Sequence, residues 1–259
     1  MSLEQSLCFY LPPPIMFACC VGGPMLLALL GLCIFRKIVP LSFLKQNHDV
    51  TGPFFSTLGT VYGIFLAFVC SSTWQAFSST SNNLVQEARY LGDLYFAAKA
   101  FPQPQQKELQ QIIRNYRDSL VNDEWKTMQK GEASPKSAEL LHQLGIAYLH
   151  IKPGTDSEKE FLHVSVQYLT QIANLRASRI DDSSSGLLPI IWLVVLLGAA
   201  ATIGFSFFFE AQNFRLQSVM TVLLIGVICM TFVMIIDLDF PFTGGTTISP
   251  EPLQRLEMK

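Results

Sequence analysis

Charged side chains are scarce in this chain and absent from four long segments. Asp, Glu, Lys and Arg make up 15% of the 259 residues, whereas half of the residues are hydrophobic. Segments 15–35, 54–74, 187–209 and 217–236 contain no Asp, Glu, Lys, Arg or His. At about 1.5 Å per residue, each is long enough to cross a hydrocarbon core of about 30 Å. The sequence therefore predicts four membrane spans, arranged as a first hairpin over 15–77 and a second over 187–236.

The missing ionisable groups narrow the chemistry that the spans can perform. A carrier coupled to protons or sodium ions usually holds an ionisable group at membrane depth, so this class is disfavoured. An intramembrane hydrolase needs a nucleophile beside a base; Ser71, Ser72 and Ser206 are candidate nucleophiles, but no histidine or lysine lies at their depth. The sequence contains no phosphate-binding glycine loop and no dinucleotide fingerprint. We therefore predict no enzymatic activity and no cofactor.

Cysteine is missing from the long polar block between the hairpins. The six cysteines lie in the spans or close to them: Cys8, Cys19, Cys20, Cys33, Cys70 and Cys229. The block therefore has no disulfide framework, and no Cys or His spacing typical of a metal site occurs, so we predict no metal ion. Residues 1–14 carry one charged residue, Glu4, and lack the basic stretch of a signal peptide, so we interpret them as a lead-in to span 1.

The polar block, residues 78–186, has the pattern of a helical domain outside the membrane. Apolar residues recur at spacings of three and four, and no segment alternates as a strand does, so the predicted fold class is all-α. No proline occurs between residues 54 and 101, so we expect span 2 to continue into the block as one helix. We expect Asp156 or Ser157 to cap the last helix of the block, and residues 237–259 to form a C-terminal segment. The apolar stripes are Leu84, Ala88, Leu91, Tyr95 and Ala98; Leu109, Ile112, Ile113, Tyr116, Leu120 and Trp125; Leu140, Leu141, Leu144, Ala147 and Tyr148; and Phe161, Val164, Tyr168, Ile172 and Leu175.

Span 2 carries two rows of residues at a spacing of four. One row is Thr60, Ile64 and Phe68, and the adjacent row consists of the small residues Gly59, Gly63 and Ala67. Small residues let helices approach closely in lipid, so span 2 can pack in a ring and present the first row to a central axis. A ring of apolar side chains gates ions by dewetting. On spacing alone, ordinary packing within one helical bundle is the favoured interpretation.

The order of several short motifs resembles the bestrophins. Residues 64–68 read Ile-Phe-Leu-Ala-Phe, similar to the "IFLGF" motif of bacterial bestrophins. Residues 87–94, which include Glu87 and Arg89, read Glu-Ala-Arg-Tyr-Leu-Gly-Asp-Leu, similar to the "EARxLWxxL" motif of the same proteins. After span 4, the residues Asp239, Pro241, Phe242 and Gly244 lie in a segment similar to the bestrophin Pro-Phe-Gly segment. The chain is similar over most of its length to the four-span bestrophin-like proteins.

This resemblance implies a pentameric ion channel with an apolar neck on its second helix. By motif match, the neck positions are Thr60, Ile64 and Phe68, and Thr60 departs from the family pattern because it is polar. The segment between Phe68 and Glu87 is also longer than in bacterial bestrophins, by about two helical turns. After Phe242 the chain lacks the acidic cluster of calcium-clasped bestrophins, so we predict no calcium site. The sign of the permeant ion does not follow, because bestrophin relatives include anion and cation channels.

The resemblance also implies partners and an orientation. The expected partners are the lipid bilayer, further copies of the chain and a permeant ion of unknown sign; nucleic acid is not expected. Bestrophin topology places the termini and the helical domain in the cytoplasm, with the spans in an inner or plasma membrane. The count of positive residues near span ends does not decide the side. On one side are Arg36, Lys37, Lys45 and Arg215, and on the other are Arg89, Arg176, Arg179, Arg255 and Lys259.

Two other functions fit the same layout of spans and domain. In the first, the protein is a non-conducting scaffold or sensor whose helical domain binds a partner protein while the spans act as an anchor. In the second, it is a stator-like proton channel, which requires a partner subunit with a single span that supplies the proton-binding acid. The second matches this sequence only in its topology.

Overall fold

A computed structural model describes residues 15, 18–40, 48–209 and 213–258. The predicted lead-in, residues 1–14, lies outside the described residues. The described ranges are helical and contain no strand, so the all-α prediction is confirmed. In chain order the helices are α1 (Gly23–Ile38), α2 (His48–Ala97), α3 (Gln105–Ser119), α4 (Trp125–Met128), α5 (Pro135–Leu149), α6 (Asp156–Ser184), α7 (Pro189–Ser206), α8 (Phe214–Asp239) and α9 (Glu251–Gln254).

The chain forms two compact units, and four helices are long and apolar enough to cross a membrane. The membrane unit contains described residues 15–75 and 186–239, and the extramembrane unit contains 76–185 and 240–258. The prediction of four spans is therefore confirmed. Helix α2 is continuous from His48 to Ala97, as the absence of proline after Pro53 predicted, and its length is about 75 Å.

The core of the membrane unit is built around one face of α2. Tyr62, Leu66 and Val69 are buried there against residues of α7 and α8, including Val195 and Ile235. Helix α1 and the π-helical turn before it, Ala18–Gly22, pack against α8 through a smaller apolar cluster that includes Val21, Ile225 and Cys229. These contacts hold the four span helices as one bundle within the unit.

Two glycines permit close approach inside this bundle. A Cβ atom at Gly198 of α7 would lie 2.5 Å from the Tyr62 ring, and one at Gly226 of α8 would lie 2.6 Å from the Met25 side chain. The Tyr62 hydroxyl donates a hydrogen bond of 3.0 Å to the Val195 carbonyl oxygen. Because glycine has no side chain, the side chain of a neighbouring helix fills the space at each of these positions. Such close approach at small residues is typical of helix contacts in lipid.

The extramembrane unit has a continuous apolar core formed by all four predicted stripes. Leu91, Ile113, Leu144 and Ile172 are each completely buried, one from each of α2, α3, α5 and α6. The fourth stripe is the least complete, since Phe161 near its start is 39% exposed.

The N-cap of α6 differs from the prediction of Asp156 or Ser157. Thr155 occupies this position, with extended backbone, and its side-chain oxygen accepts a 3.2 Å hydrogen bond from the Glu158 amide. The helix therefore starts one residue earlier than an Asp156 cap would allow, and Asp156 lies in its first turn.

Residues 240–258 complete the core of the extramembrane unit. The Phe242 ring meets the Trp125 ring edge-on at a centroid distance of 5.5 Å, and Leu253 is fully buried. Gly244 has φ of 93°, a left-handed conformation that favours glycine, and it lies in the turn that brings Ile248 back to the Pro241 carbonyl oxygen at 2.8 Å. The segment therefore belongs to the fold of this unit, although the sequence pattern separated it from the helical block.

Candidate functional site

The face of α2 opposite the membrane-unit core is solvent-accessible in the single chain. Ile64 and Phe68 are 67% and 72% exposed, while Tyr62 and Leu66, on the other side of the helix, are 7% exposed each. Thr60 is exposed on the same face as Ile64 and Phe68. The three predicted neck residues therefore lie together on one exposed face, and none of them belongs to the apolar clusters described for the membrane unit.

The same face carries polar side chains on either side of Ile64 and Phe68. Thr57, Ser71 and Gln75 continue the row at spacings of three and four, and all three are exposed. The hydroxyls of Thr57 and Thr60 donate hydrogen bonds of 3.0 and 2.7 Å to the carbonyl oxygens of Pro53 and Ser56, four residues earlier. The Gln75 amide donates a 3.1 Å hydrogen bond to the Ser71 hydroxyl oxygen. This row is thus polar, apolar and polar again along the helix.

The exposed faces of the other spans have a different character. Between their end turns, the large exposed side chains of α1, α7 and α8 are hydrophobic. This composition suits contact with lipid tails, whereas a row of hydroxyls and an amide does not. Among the described spans, only α2 thus combines high exposure with a polar row. The exposed hydrophobic residues include Leu26, Leu27, Leu30 and Ile34 of α1, Leu193, Val194 and Leu197 of α7, and Leu223, Val227 and Met230 of α8.

The predicted packing row of small residues makes no close helix contact within the described chain. Gly63 and Ala67 are exposed and Gly59 is half-buried. No described atom outside the local helix lies within 4 Å of a Cβ atom built at Gly59 or Gly63, in contrast to Gly198. The described residues of the chain therefore leave this row without a close neighbour.

A buried cluster of four charged residues joins α2 to the rest of the extramembrane unit. Arg179 donates hydrogen bonds to both carboxylate oxygens of Glu87, at 2.8 and 3.0 Å, and a third to Glu124 at 3.0 Å. Arg176 donates to both oxygens of Glu124. Glu87 and Glu124 are completely buried and Arg179 is 1% exposed. Two carboxylates face two guanidinium groups, so the cluster is electrically balanced.

The surroundings favour the charged form of Arg179. Burial by itself lowers the pKa of Arg179, but the carboxylates of Glu87 and Glu124 raise it above its ordinary value, so the guanidinium remains charged. Burial, together with Glu87, also raises the pKa of the nearby Tyr116 well above its usual range, so its phenol remains neutral. Buried ion pairs with this many hydrogen bonds avoid the large cost of an unpaired charge.

The sequence pattern identified Glu87 but not its partners. Ile172, Arg176, Arg179 and Ser183 follow one another at spacings of three and four on α6, and none of them is exposed. Arginines that continue the apolar stripe of a helix are expected to be buried, and a buried guanidinium group needs a carboxylate partner. This signal could have predicted that Arg176 and Arg179 pair with buried acidic residues. The motif residue Arg89 lies on the opposite side of α2: its side chain is 82% exposed and 4.0 Å from Asp93.

The motif residues after span 4 are divided between the two units. Asp239 ends α8 in the membrane unit, where its two carboxylate oxygens accept hydrogen bonds of 3.0 and 2.9 Å from the Leu187 amide, just before α7. Asp239 therefore closes the second hairpin. Pro241, Phe242 and Gly244 lie in the turn that enters the extramembrane core. No group of three or more His, Cys, Asp or Glu side chains within the described ranges is placed to hold a metal ion.

Comparisons with known proteins agree with this architecture. The structure is similar to that of a bacterial bestrophin homologue from Klebsiella pneumoniae solved by Zn-SAD phasing, with 14% identity, a TM-score of 0.63, and coverage of 88% of this chain and 93% of that chain. A variant of that homologue matches with 12% identity and a TM-score of 0.64, over 90% of this chain and 98% of that chain. At these identities the matches show a shared fold.

A family model supplies the assignment. No curated protein matches the chain significantly. The model described as Bestrophin-like domain matches residues 22–253, which include helices α1 to α8 and most of the extramembrane unit. The chain therefore belongs to the bestrophin-like family of membrane proteins.

Proposed function

We propose that this protein is a homo-oligomeric, pentameric ion channel whose pore is lined by α2. The observation that carries the proposal is the difference between exposed faces: those of α1, α7 and α8 are hydrophobic, while the exposed row of α2 carries Thr57, Thr60, Ser71 and Gln75. Polar side chains at membrane depth favour a water-filled axis over lipid. Family membership supports a channel over an enzyme.

We propose that Thr60, Ile64 and Phe68 form the neck of the pore. Ile64 and Phe68 would present their side chains to the axis from each subunit and make two apolar rings one turn apart. The Thr60 hydroxyl donates a hydrogen bond to the Ser56 carbonyl oxygen, so its O–H group is not available to an ion. Although Thr60 is a polar departure from the family pattern, it would present only an acceptor oxygen and a methyl group to the axis. The neck would then resist wetting and act as the barrier to ions.

The small residues would form the contact between subunits. Gly63 and Ala67 lie on one flank of the exposed row, and Val61 lies on the other. A neighbouring α2 with its larger flank against Gly63 and Ala67 could approach to the short distances that small residues permit, and Gly59 extends the same flank. This arrangement explains why the described chain itself leaves these glycines without close neighbours.

Flux measurements on Phe68→Ala test the neck. The substitution widens and wets an apolar constriction, so we expect ion flux through reconstituted vesicles to rise at least about threefold. Leu197→Ala is the control, because Leu197 is similarly exposed but lies on the lipid-type face of α7. Native mass spectrometry of the same samples gives the number of subunits.

Each alternative function predicts a different result in this experiment. If verified oligomers of the wild type and of Phe68→Ala conduct no ions, the scaffold or sensor function is favoured. Equal flux in wild type and Phe68→Ala oligomers would contradict the neck. Co-purification of a subunit with a single span and a membrane-embedded acid would favour the stator-like function.

We also propose that the termini and the extramembrane unit face the cytoplasm, with the spans in an inner or plasma membrane. The balance of positive residues permits this orientation, and the family resemblance supports it. Fusions at the C-terminus test it, because green fluorescent protein should fluoresce there and alkaline phosphatase should remain inactive.

A further inference from the structure

The polar part of the α2 row that follows Phe68 has a defined local geometry. Ser71 lies about 4.5 Å and Gln75 about 10.5 Å further along the helix axis than Phe68, on the same face. Both are exposed, and the Gln75 amide nitrogen is held by the Ser71 hydroxyl oxygen at 3.1 Å. Within the described part of the chain, no donor bonds to the Gln75 carbonyl oxygen. That oxygen is therefore available to a ligand.

No full charge competes with these dipoles along this part of α2. From Val50 to Gln86 the sequence contains no Asp, Glu, Lys, Arg or His, a stretch of about 55 Å of helix. An amide and a hydroxyl offer acceptor oxygens to a cation and N–H or O–H donors to an anion. Any discrimination by charge that this stretch of α2 makes must therefore come from such neutral groups.

We infer that Ser71 and Gln75, repeated in each subunit, form an uncharged polar ring at the C-terminal mouth of the neck. The ring binds a partly dehydrated monovalent ion and sets how strongly the channel distinguishes cations from anions. This inference rests on the proposed function, because it requires the exposed row of α2 to face a pore. The neck and the ring then have different roles. Ile64 and Phe68 control whether ions pass, while Ser71 and Gln75 control which ions enter.

Charge substitutions at Gln75 test the ring in planar bilayers with a KCl gradient. Gln75→Glu keeps the side-chain volume and adds one carboxylate per subunit; we expect the ratio of potassium to chloride permeability to rise at least about tenfold, because several charges would lie close to the ion. Gln75→Lys should lower the same ratio by a similar factor. Ala76→Glu is the control: Ala76 is also exposed, but it points about 100° away from Gln75 and about 140° away from Ser71 around the helix. We expect it to change the ratio less than about twofold.

A second route adds the charge after folding. If Gln75→Glu does not assemble, Gln75→Cys is treated in the bilayer with a sulfonate-bearing methanethiosulfonate, which should raise the ratio as Gln75→Glu would. Treated wild type is the control for the chain's own cysteines. Conducting Gln75 variants with the wild-type ratio, or an equal shift from Ala76→Glu, would overturn the ring but would not contradict the channel function. Verified wild-type oligomers without current would overturn the channel function and the ring with it.

Discussion

The interiors of the two units are stabilised by different chemistry. The extramembrane unit buries Glu87, Glu124 and Arg179, whereas the buried polar residues described in the membrane unit are all uncharged. There the hydroxyls of Tyr62, Thr73 and Ser206 donate hydrogen bonds to backbone carbonyl oxygens. A unit in water can supply counter-charges from several helices, but a unit in lipid relies on close packing and on its own backbone.

The largest expected effect comes from removing the charge balance of the extramembrane unit. Arg179→Ala leaves the carboxylate of Glu87 buried without a partner and removes one of two partners from Glu124. We expect a loss of about 3–5 kcal/mol in the free energy of unfolding. Chemical denaturation of the purified protein measures it.

A double variant separates lost charge balance from lost packing. Arg179→Met combined with Glu87→Gln removes the charge from both partners of the Arg179–Glu87 pair, so part of the stability should return. Equal stability of Arg179→Ala and wild type would show that the buried pair contributes no more than a surface pair.

An intermediate effect is expected from filling the close approach in the membrane unit. Gly198→Ala places a methyl group against the Tyr62 ring, which the hydrogen bond to Val195 holds in position. We expect a loss of about 1–3 kcal/mol, measured by thermal unfolding in detergent with circular dichroism.

Gly204→Ala is the matched control on the same helix. No described atom outside the local helix lies within 4 Å of a Cβ atom built there, so the change should be neutral or stabilise the helix by up to about 1 kcal/mol. Similar melting of the two variants would contradict a role for close packing at Gly198.

The smallest effect should come from the other motif residue of α2 in the extramembrane unit. Arg89 lies two positions from Glu87 but on the exposed side, and its contact with Asp93 is 4.0 Å long. We expect Arg89→Ala to change the free energy of unfolding by about 0–1 kcal/mol, measured by chemical denaturation at low and high salt. A loss of unfolding free energy as large as that of Arg179→Ala would contradict the difference between the exposed face of α2 at Arg89 and its buried face at Glu87.

The sequence predicted those features that depend on one helix at a time. Span lengths, the continuity of α2 and its exposed row follow from local composition and a period of 3.6 residues, and Thr60, Ile64 and Phe68 share a face for this reason. Pairings between distant segments were not predicted. Arg179 meets Glu87 across 92 positions of sequence, and Tyr62 meets Gly198 across 136, so neither contact leaves a periodic signal in a single sequence.

Residues 240–258 were missed for a related reason. They contain one short helix, and the Phe240-Pro241-Phe242 segment that enters the core has no period. Only the three-dimensional partner of Phe242, the ring of Trp125, explains why an aromatic residue is needed at that position. The hydrogen bonds between Asp239 and Leu187, which close the second hairpin, likewise join residues 52 positions apart and leave no periodic signal in the sequence.

The separation of the extramembrane unit into two chain segments has a consequence for its biosynthesis. Residues 76–185 are translated before α7 and α8, whereas Phe242 and Leu253, which complete their core, are translated after both. Until the second hairpin has been made, the nascent unit exposes the apolar surface that these residues later cover. Completion of this core is therefore among the last steps of folding, so a chain that stalls in the second hairpin carries an open core that chaperones and proteases can recognise.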